Sequence, residues 1–199
     1  MRMRKQASRI QRSDFIMLFD SLGGHPQGNG PVSAAGRWAA SFSTHGEDLK
    51  LWGVKVLVRG ADDEGAFTIS LHTDAGALPG DVIATSGPIP DSVLPAIHQP
   101  FTVDLPAVLA PEARYWVVIA PAEGSSSSLD WAFTQAGVGP GVASEFYAEE
   151  SSGAWQSYPN SEGGPCQMAV LSKAPEPPVW AVLFGGWSPK PRRASPRAA

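Results

Sequence analysis

The chain has 199 residues, with 21 glycines, 19 prolines and only 17% charged residues, against roughly 25% in an average soluble domain. Its length fits one domain, and its single cysteine, Cys166, excludes an intramolecular disulfide and a cysteine-based zinc site. The net charge is −4, but residues 1–12 and 190–197 hold nine of the fifteen basic residues and no acidic one. The body, residues 13–189, therefore combines six basic with nineteen acidic residues, a balance of −13, which excludes nucleic acid as its partner because phosphate binding requires Lys and Arg.

The basic N-terminal segment comes first along the chain. It is followed by an apolar island at residues 15–19, which is shorter than the roughly 7–15 residues of a signal-peptide core. We therefore expect residues 1–17 to form a disordered basic leader and expect no signal peptide in this chain. The longest late apolar run, residues 178–187, has about half the length that a membrane-spanning helix needs, so no stable membrane span is expected either.

Apolar and polar residues alternate with a period of two through much of the body, which indicates β-strands buried on one face. The clearest alternating runs are residues 37–43, 66–73 and 101–105. In residues 49–59 the phase of the alternation changes at Gly53, where a β-bulge would restore a single inward face. Residues 115–120 are apolar on both faces, as is typical of a central strand covered on both sides.

Turn-forming clusters of glycine, proline and serine separate these runs and leave no room for a long helix. We expect one short helical turn in residues 91–97, capped by Asp91 and ended by Pro95. About nine strands joined by short turns predict an all-β fold, an antiparallel β-sandwich with jelly-roll topology, over residues 18–173. The alternative is a seven-stranded immunoglobulin-like sandwich, whose Cys…Trp…Cys pattern is missing. Residues 174–199 form a Pro- and Arg-rich tail.

The sequence offers no catalytic constellation, so we do not expect an enzyme. The four histidines, at positions 25, 45, 72 and 98, lie one per segment without the spacing of a metal site. Cys166 precedes a strand in an apolar setting that is typical of a small buried residue. The serine run at residues 125–128 lacks the glycine pattern of a nucleophile elbow and is interpreted as a solvated loop.

Calcium is the one cofactor for which the sequence offers candidate ligands. Sandwich loops often collect Asp side chains, and Ca²⁺ takes six to eight oxygen ligands. The candidates are Asp62 and Asp63 at one hairpin tip, and Asp74 with Asp81 around the turn at residues 78–80. The competing interpretations are a solvated tip for the first pair and an Asx-turn at Asp74.

Exposed aromatic rings could form a carbohydrate platform, because the apolar face of a pyranose stacks on an indole or phenol ring. Trp155 and Tyr158 lie in a polar hairpin context, and Trp52 lies beside Gly53. These three residues are the candidate glycan-binding site, whereas Trp38, Trp116 and Trp131 lie in strands among apolar residues and are assigned to the core.

The order of several short motifs resembles the choice-of-anchor R domain of bacterial exported proteins over residues 19–173. The similar segments are residues 20–24, 30–33, 39–44, 69–74, 78–80, 115–119 and 167–170. Beyond them, Pro175-Glu176-Pro177, an apolar stretch and the basic pair Arg192-Arg193 resemble a shortened PEP-CTERM sorting signal.

The resemblance implies a non-catalytic protein that is exported to the cell surface or the extracellular matrix and has a structural or adhesive role. It further implies an exosortase-type sorting machinery as a partner of the tail. The aromatic candidates, and not the resemblance, suggest extracellular polysaccharide as a partner of the sandwich. A carbohydrate-binding module that uses Trp155, Tyr158 and Trp52 is the alternative function.

Overall fold

The alternating runs form strands that pair in two antiparallel sheets. The computed structural model describes residues 15–46, 49–60, 65–134, 146–160 and 165–173. Within these ranges it has thirteen strands and one 3₁₀ turn (η1, Asp91–Val93). The strands are β1 Phe15–Asp20, β2 Gly28–Val32, β3 Gly36–Ser43, β4 Leu49–Gly60, β5 Ala66–Asp74, β6 Pro79–Thr85, β7 Ile89–Pro90, β8 Gln99–Leu109, β9 Arg114–Pro121, β10 Leu129–Phe133, β11 Phe146–Ser151, β12 Ala154–Pro159 and β13 Met168–Lys173.

The strand order is that of a jelly roll with additions at the edges. Sheet I has the order β1-β13-β4-β10-β2, with β8 on the opposite side of β4, and sheet II has the order β12-β11-β3-β9-β5-β6, with β7 beside β5. Eight of these strands, β2 to β6 and β8 to β10, pair as β2-β10-β4-β8 and β3-β9-β5-β6. If these eight strands are counted from one to eight along the chain, one sheet has the order 1-8-3-6 and the other has the order 2-7-4-5. This is the jelly-roll arrangement.

The predicted all-β sandwich is thus confirmed, whereas the predicted count of about nine strands is wrong for the described residues. The additional strands are β1 and β13 in sheet I, the β11–β12 hairpin in sheet II, and the two-residue β7. β1 begins at Phe15, so the sandwich starts before the expected boundary at residue 18. These strands do not show the plain alternation of apolar and polar residues on which the count was based.

The core lies between the sheets and takes every second side chain of the alternating strands. Phe67, Ile69 and Leu71 of β5 are fully buried there, and the intervening Thr68, Ser70 and His72 face the other side of sheet II. Full burial of one such side chain stabilises the fold by about 1.5–3 kcal/mol. Other core residues are Phe42, Val54, Val56, Val58, Val103, Leu105, Val117, Ile119 and Trp131.

The expected bulge in β4 is present: against β13, Trp52 is the extra residue, whereas against β8 two residues, Leu105 and Pro106, lie opposite Trp52. The pairing of β4 with β8 passes from Leu51–Ala107 to Gly53–Asp104. The pairing with β13 shifts at the same place. A Cβ atom on Gly53 would lie 2.4 Å from the carbonyl oxygen of Val103, so only glycine fits this close approach of two backbones.

Strand β9 is covered on both faces, as its sequence predicted. It lies between β3 and β5, and Val117 and Ile119 face the core while Trp116 and Val118 are buried on the outer side. The outer apolar cluster consists of Ala39, Trp116, Val118 and Ala148, with Phe146 and Trp155 packed against it. Sheet II therefore has a second, smaller hydrophobic layer on its outer face.

The predicted helical turn is shorter than expected, and Asp91 does not cap it. The turn ends at Val93, and the N-cap position is Pro90, which supplies no side-chain hydrogen bond. The Asp91 carboxylate is instead buried and accepts hydrogen bonds from the Ser127 hydroxyl at 2.8 Å and the Ser128 amide at 3.3 Å. The interpretation of residues 125–128 as a solvated loop is therefore wrong for Ser127, which is fully buried.

Candidate functional site

A cleft of about 970 Å³ opens on the outer face of sheet II, beside the outer apolar cluster. Its floor consists of outward side chains of the central strands: Thr68, Ser70 and His72 from β5, Val118 and Ala120 from β9, Arg37 from β3 and Glu150 from β11. The loop segments 33–35, 122–125 and 152–153 form its walls. Because side chains alternate between the two faces of a strand, these polar side chains all lie on the outer face. The pairing of β11, β3, β9 and β5 in sheet II brings them together.

Arg37 and Glu150 form a forked ion pair in this cleft. Arg37 Nη2 donates to Glu150 Oε1 at 2.6 Å, and Nε donates to the other carboxylate oxygen. This hydrogen bonding lowers the pKa of Glu150 and raises the pKa of Arg37. The side chain of Glu150 is only 9% exposed whereas that of Arg37 is 44% exposed, so the guanidinium group shields the carboxylate and itself faces the cleft.

His72 is held in one tautomer by two hydrogen bonds. Its Nδ1 lies 2.9 Å from the carbonyl oxygen of Gly80, and its Nε2 lies 2.8 Å from Ser70 Oγ. Since a carbonyl oxygen can only accept, Nδ1 carries the proton, and the Ser70 hydroxyl donates to Nε2. Burial lowers the pKa of His72, and the charge of Arg37 adds to this effect, although the bond to Gly80 acts in the opposite direction.

The lowered pKa of His72 gives a pH-dependent stability. The unfolded chain binds a proton at His72 below about pH 6.5, whereas the folded chain does so only at lower pH. We therefore expect stability to fall as the pH drops from about 6.5 towards the folded-state pKa, and expect His72→Gln to reduce this fall. Urea denaturation at a series of pH values measures it. His45→Gln, at an exposed position, is the control, and an equal effect of both variants would contradict the assignment.

Trp155, Tyr158 and Trp52 do not come together in the structure. Trp155 and Tyr158 are both half-buried in β12, but they are three positions apart and so point to opposite faces of sheet II. Trp155 packs on the outer apolar cluster, with Arg37 Cζ 5.6 Å from its ring centre. The ring of Tyr158 stacks on Tyr147 at 5.1 Å, and its hydroxyl donates to Glu149 at 3.0 Å.

Trp52 lies in sheet I, where it lines a separate groove of about 520 Å³. The other lining residues are Lys50, Leu51, Pro106, Ala107 and Val108. Val108 is 70% exposed, so the groove presents apolar surface to the solvent. A stacking site for one ring could form here, but Trp155 and Tyr158 are not part of it.

The calcium candidates divide between described and undescribed residues. The carboxylate of Asp74 accepts from Trp116 Nε1 at 2.8 Å and from the Ala77 amide at 3.3 Å, and it pairs with Arg114 at 3.5 Å. Asp81 is exposed, and Asp62 and Asp63 lie outside the described residues. In the ranges that are described, no three His, Cys, Asp or Glu side chains form a group that could hold a metal ion.

The remaining predicted sites have mixed outcomes. Cys166 is fully buried, as expected, and burial raises the pKa of its thiol. The sorting motif Pro175-Glu176-Pro177 and the pair Arg192-Arg193 lie outside the described residues. Within the part of the chain that is described, no helix is both long and apolar enough to cross a membrane.

The polar residues of the cleft were not predicted as a site. The alternation in residues 66–73 indicates that Thr68, Ser70 and His72 share one face, but it does not reveal which strands lie beside them. Arg37 and Glu150 are far apart in the sequence and meet only because β3 pairs with β11. A comparison of the sequence with models of known protein families gave no match, and a comparison with curated proteins gave none either.

Proposed function

We propose that this chain is a non-catalytic, exported β-sandwich protein with a structural or adhesive role at the cell surface or in the extracellular matrix. The observation that carries the proposal is where the choice-of-anchor resemblance falls on the fold. Three of the similar segments, residues 39–44, 69–74 and 115–119, lie mainly on β3, β5 and β9, which are neighbours in sheet II. These three segments form a continuous part of sheet II, and two further segments, residues 30–33 and 167–170, lie mainly on β2 and β13 of sheet I.

The partners of two buried acidic groups, Asp91 and Glu150, and of the half-buried Asp74 also support a role based on shape. Asp91 is bonded to the serine loop, Asp74 to Trp116, and Glu150 to Arg37. Each of these carboxylates connects strands or loops of the sandwich.

We propose the exosortase-type sorting machinery as the partner of the tail motif at residues 175–177, and extracellular polysaccharide as the partner of the sandwich.

Protease treatment of intact cells tests the proposed location. An epitope tag inserted between Ala75 and Gly76, two exposed turn residues, is expected to disappear when intact cells of the source bacterium are treated with protease. A cytosolic protein should survive the same treatment. Glu176→Ala should change the ratio of attached to released protein, whereas Asp104→Ala, at an exposed acid of β8, should not. A tag that remains protected and fractionates with the cytosol would refute export.

Carbohydrate binding is the second candidate function, and the two concave surfaces favour it. One is the groove with Trp52 and the other is the cleft on sheet II. Retention of the full chain on immobilised polysaccharides tests this function, with Trp52→Ala and Trp155→Ala compared side by side. Retention that depends on Trp52 would support ring stacking in the groove of sheet I, and the absence of retention on every polysaccharide would remove the candidate.

A further inference from the structure

We propose, resting on the adhesive role above, that the cleft on sheet II is the binding site and that its ligand is a neutral polysaccharide chain. Strand pairing brings the residues of this cleft together. Its lining does not include the aromatic candidates from the sequence, Trp155, Tyr158 and Trp52. Its volume of about 970 Å³ lies at the upper end of the roughly 300–1,000 Å³ that is usual for ligand sites. Its lining crosses sheet II from Glu150 of β11 to Thr85 of β6, a width that suits an extended chain.

The charges of the cleft favour an uncharged ligand. The positive charge of Arg37 is neutralised by Glu150, and the burial of His72 disfavours the charged form of its ring. Glu123, which is exposed at the wall, adds a negative charge. With a body balance of −13, the surface repels uronate, phosphate and sulfate polymers.

The hydrogen-bonding groups of the cleft suit hydroxyl ligands, which donate and accept at the same atom. The forked bond to Glu150 uses the Nε and Nη2 edge of Arg37, and the half-exposed guanidinium retains further N–H groups for a ligand. Ser70 Oγ donates to His72, which leaves its lone pairs as acceptors. The hydroxyls of Thr68 and Thr85 add groups that can do both. Most of these positions are fixed by the sheet, so binding requires little ordering.

The shape of the floor favours a sugar over a peptide. Ala120 is half-buried and presents a small apolar surface on which the C–H face of a pyranose can lie. A peptide that adds as a strand needs a free sheet edge, but here β9 already pairs with β3 on one side and β5 on the other.

Titration calorimetry on the full chain tests the proposal. The probes are three neutral hexasaccharides, cellohexaose, laminarihexaose and mannohexaose, together with acidic hexagalacturonate. We expect at least one neutral probe to bind and hexagalacturonate to bind more weakly. Thr68→Tyr fills the cleft and should weaken binding by about tenfold or more, whereas Thr102→Tyr, on the outer face of sheet I, should not change it. If Thr68→Tyr does not fold, Thr85→Tyr at an exposed cleft position replaces it.

Three results with the probes and the cleft variants would overturn the proposal, and a fourth concerns Trp52. The three are no binding of any neutral probe, tighter binding of hexagalacturonate, or equal binding by Thr68→Tyr and Thr102→Tyr. Loss of binding in Trp52→Ala with retention in the cleft variants would place the sugar in the groove of sheet I and would also overturn it. None of these results affects the outcome of the protease experiment. The proposal of export and the proposal of sugar binding in the cleft can therefore fail independently. Backbone amide shifts at Thr68 and Ser70 on addition of the bound probe would support the cleft directly.

Discussion

Replacing Trp116 by alanine is expected to lower the free energy of unfolding by about 3–5 kcal/mol, the usual cost of removing a buried tryptophan. Trp116 is the largest residue of the outer apolar cluster and is fully buried at the centre of sheet II. Its removal leaves a cavity between β3 and β5 and deprives the Asp74 carboxylate of the indole donor at 2.8 Å. Urea denaturation followed by circular dichroism measures the loss.

Two variants separate the causes of this effect. Trp116→Phe keeps an aromatic ring but removes the donor to Asp74, so it should cost clearly less than alanine, with about 1 kcal/mol due to the hydrogen bond. Trp155→Ala, in the half-buried edge strand β12, is the matched control and should cost less than half of what Trp116→Ala does. Equal losses for the two alanine variants would contradict the assignment of Trp116 as the buried centre of this layer and of Trp155 as its margin.

The period of two was enough to predict the sandwich and the bulge. The phase change at Gly53 identified the bulge because alternation must keep Leu51 and Val54 on the same buried face. Asp91 was misassigned because its partner Ser127 is 36 residues away, and no local pattern reports such a contact. A polar residue at the start of a turn is therefore a helix cap or a buried anchor depending on which loop packs against it.

The candidate site was less predictable than the fold. The spacing of three between Trp155 and Tyr158 already implies opposite faces of a strand, and this signal was available in the sequence. The contact of Arg37 with Glu150 was not available, because it depends on the position of the β11–β12 hairpin beside β3. Odd and even positions of one strand can be assigned to its two faces from the sequence. To predict a cleft, the order of the strands in the sheet must be known as well.

Replacing Asp91 by alanine is expected to lower the free energy of unfolding by about 2–4 kcal/mol, because two hydrogen-bond donors would lose their buried acceptor. The donors are the Ser127 hydroxyl, which is fully buried, and the Ser128 amide. The site is tightly packed, since a Cβ atom on Gly65 would lie 2.6 Å from Asp91 Oδ2. Little space is therefore left for a water molecule to replace the carboxylate.

A double-mutant cycle with Ser127 distinguishes this anchor from a general packing effect. When both partners are removed, no hydroxyl is left unsatisfied, so Asp91→Ala with Ser127→Ala should cost less than the sum of the single variants by about 1–3 kcal/mol. Asp104→Ala, at an exposed acid of β8, should change stability by no more than about 0.5 kcal/mol. Additive losses would show that Asp91 stabilises the chain through η1 alone, whereas the expected coupling would show that it ties the segment before β8 to the loop before β10.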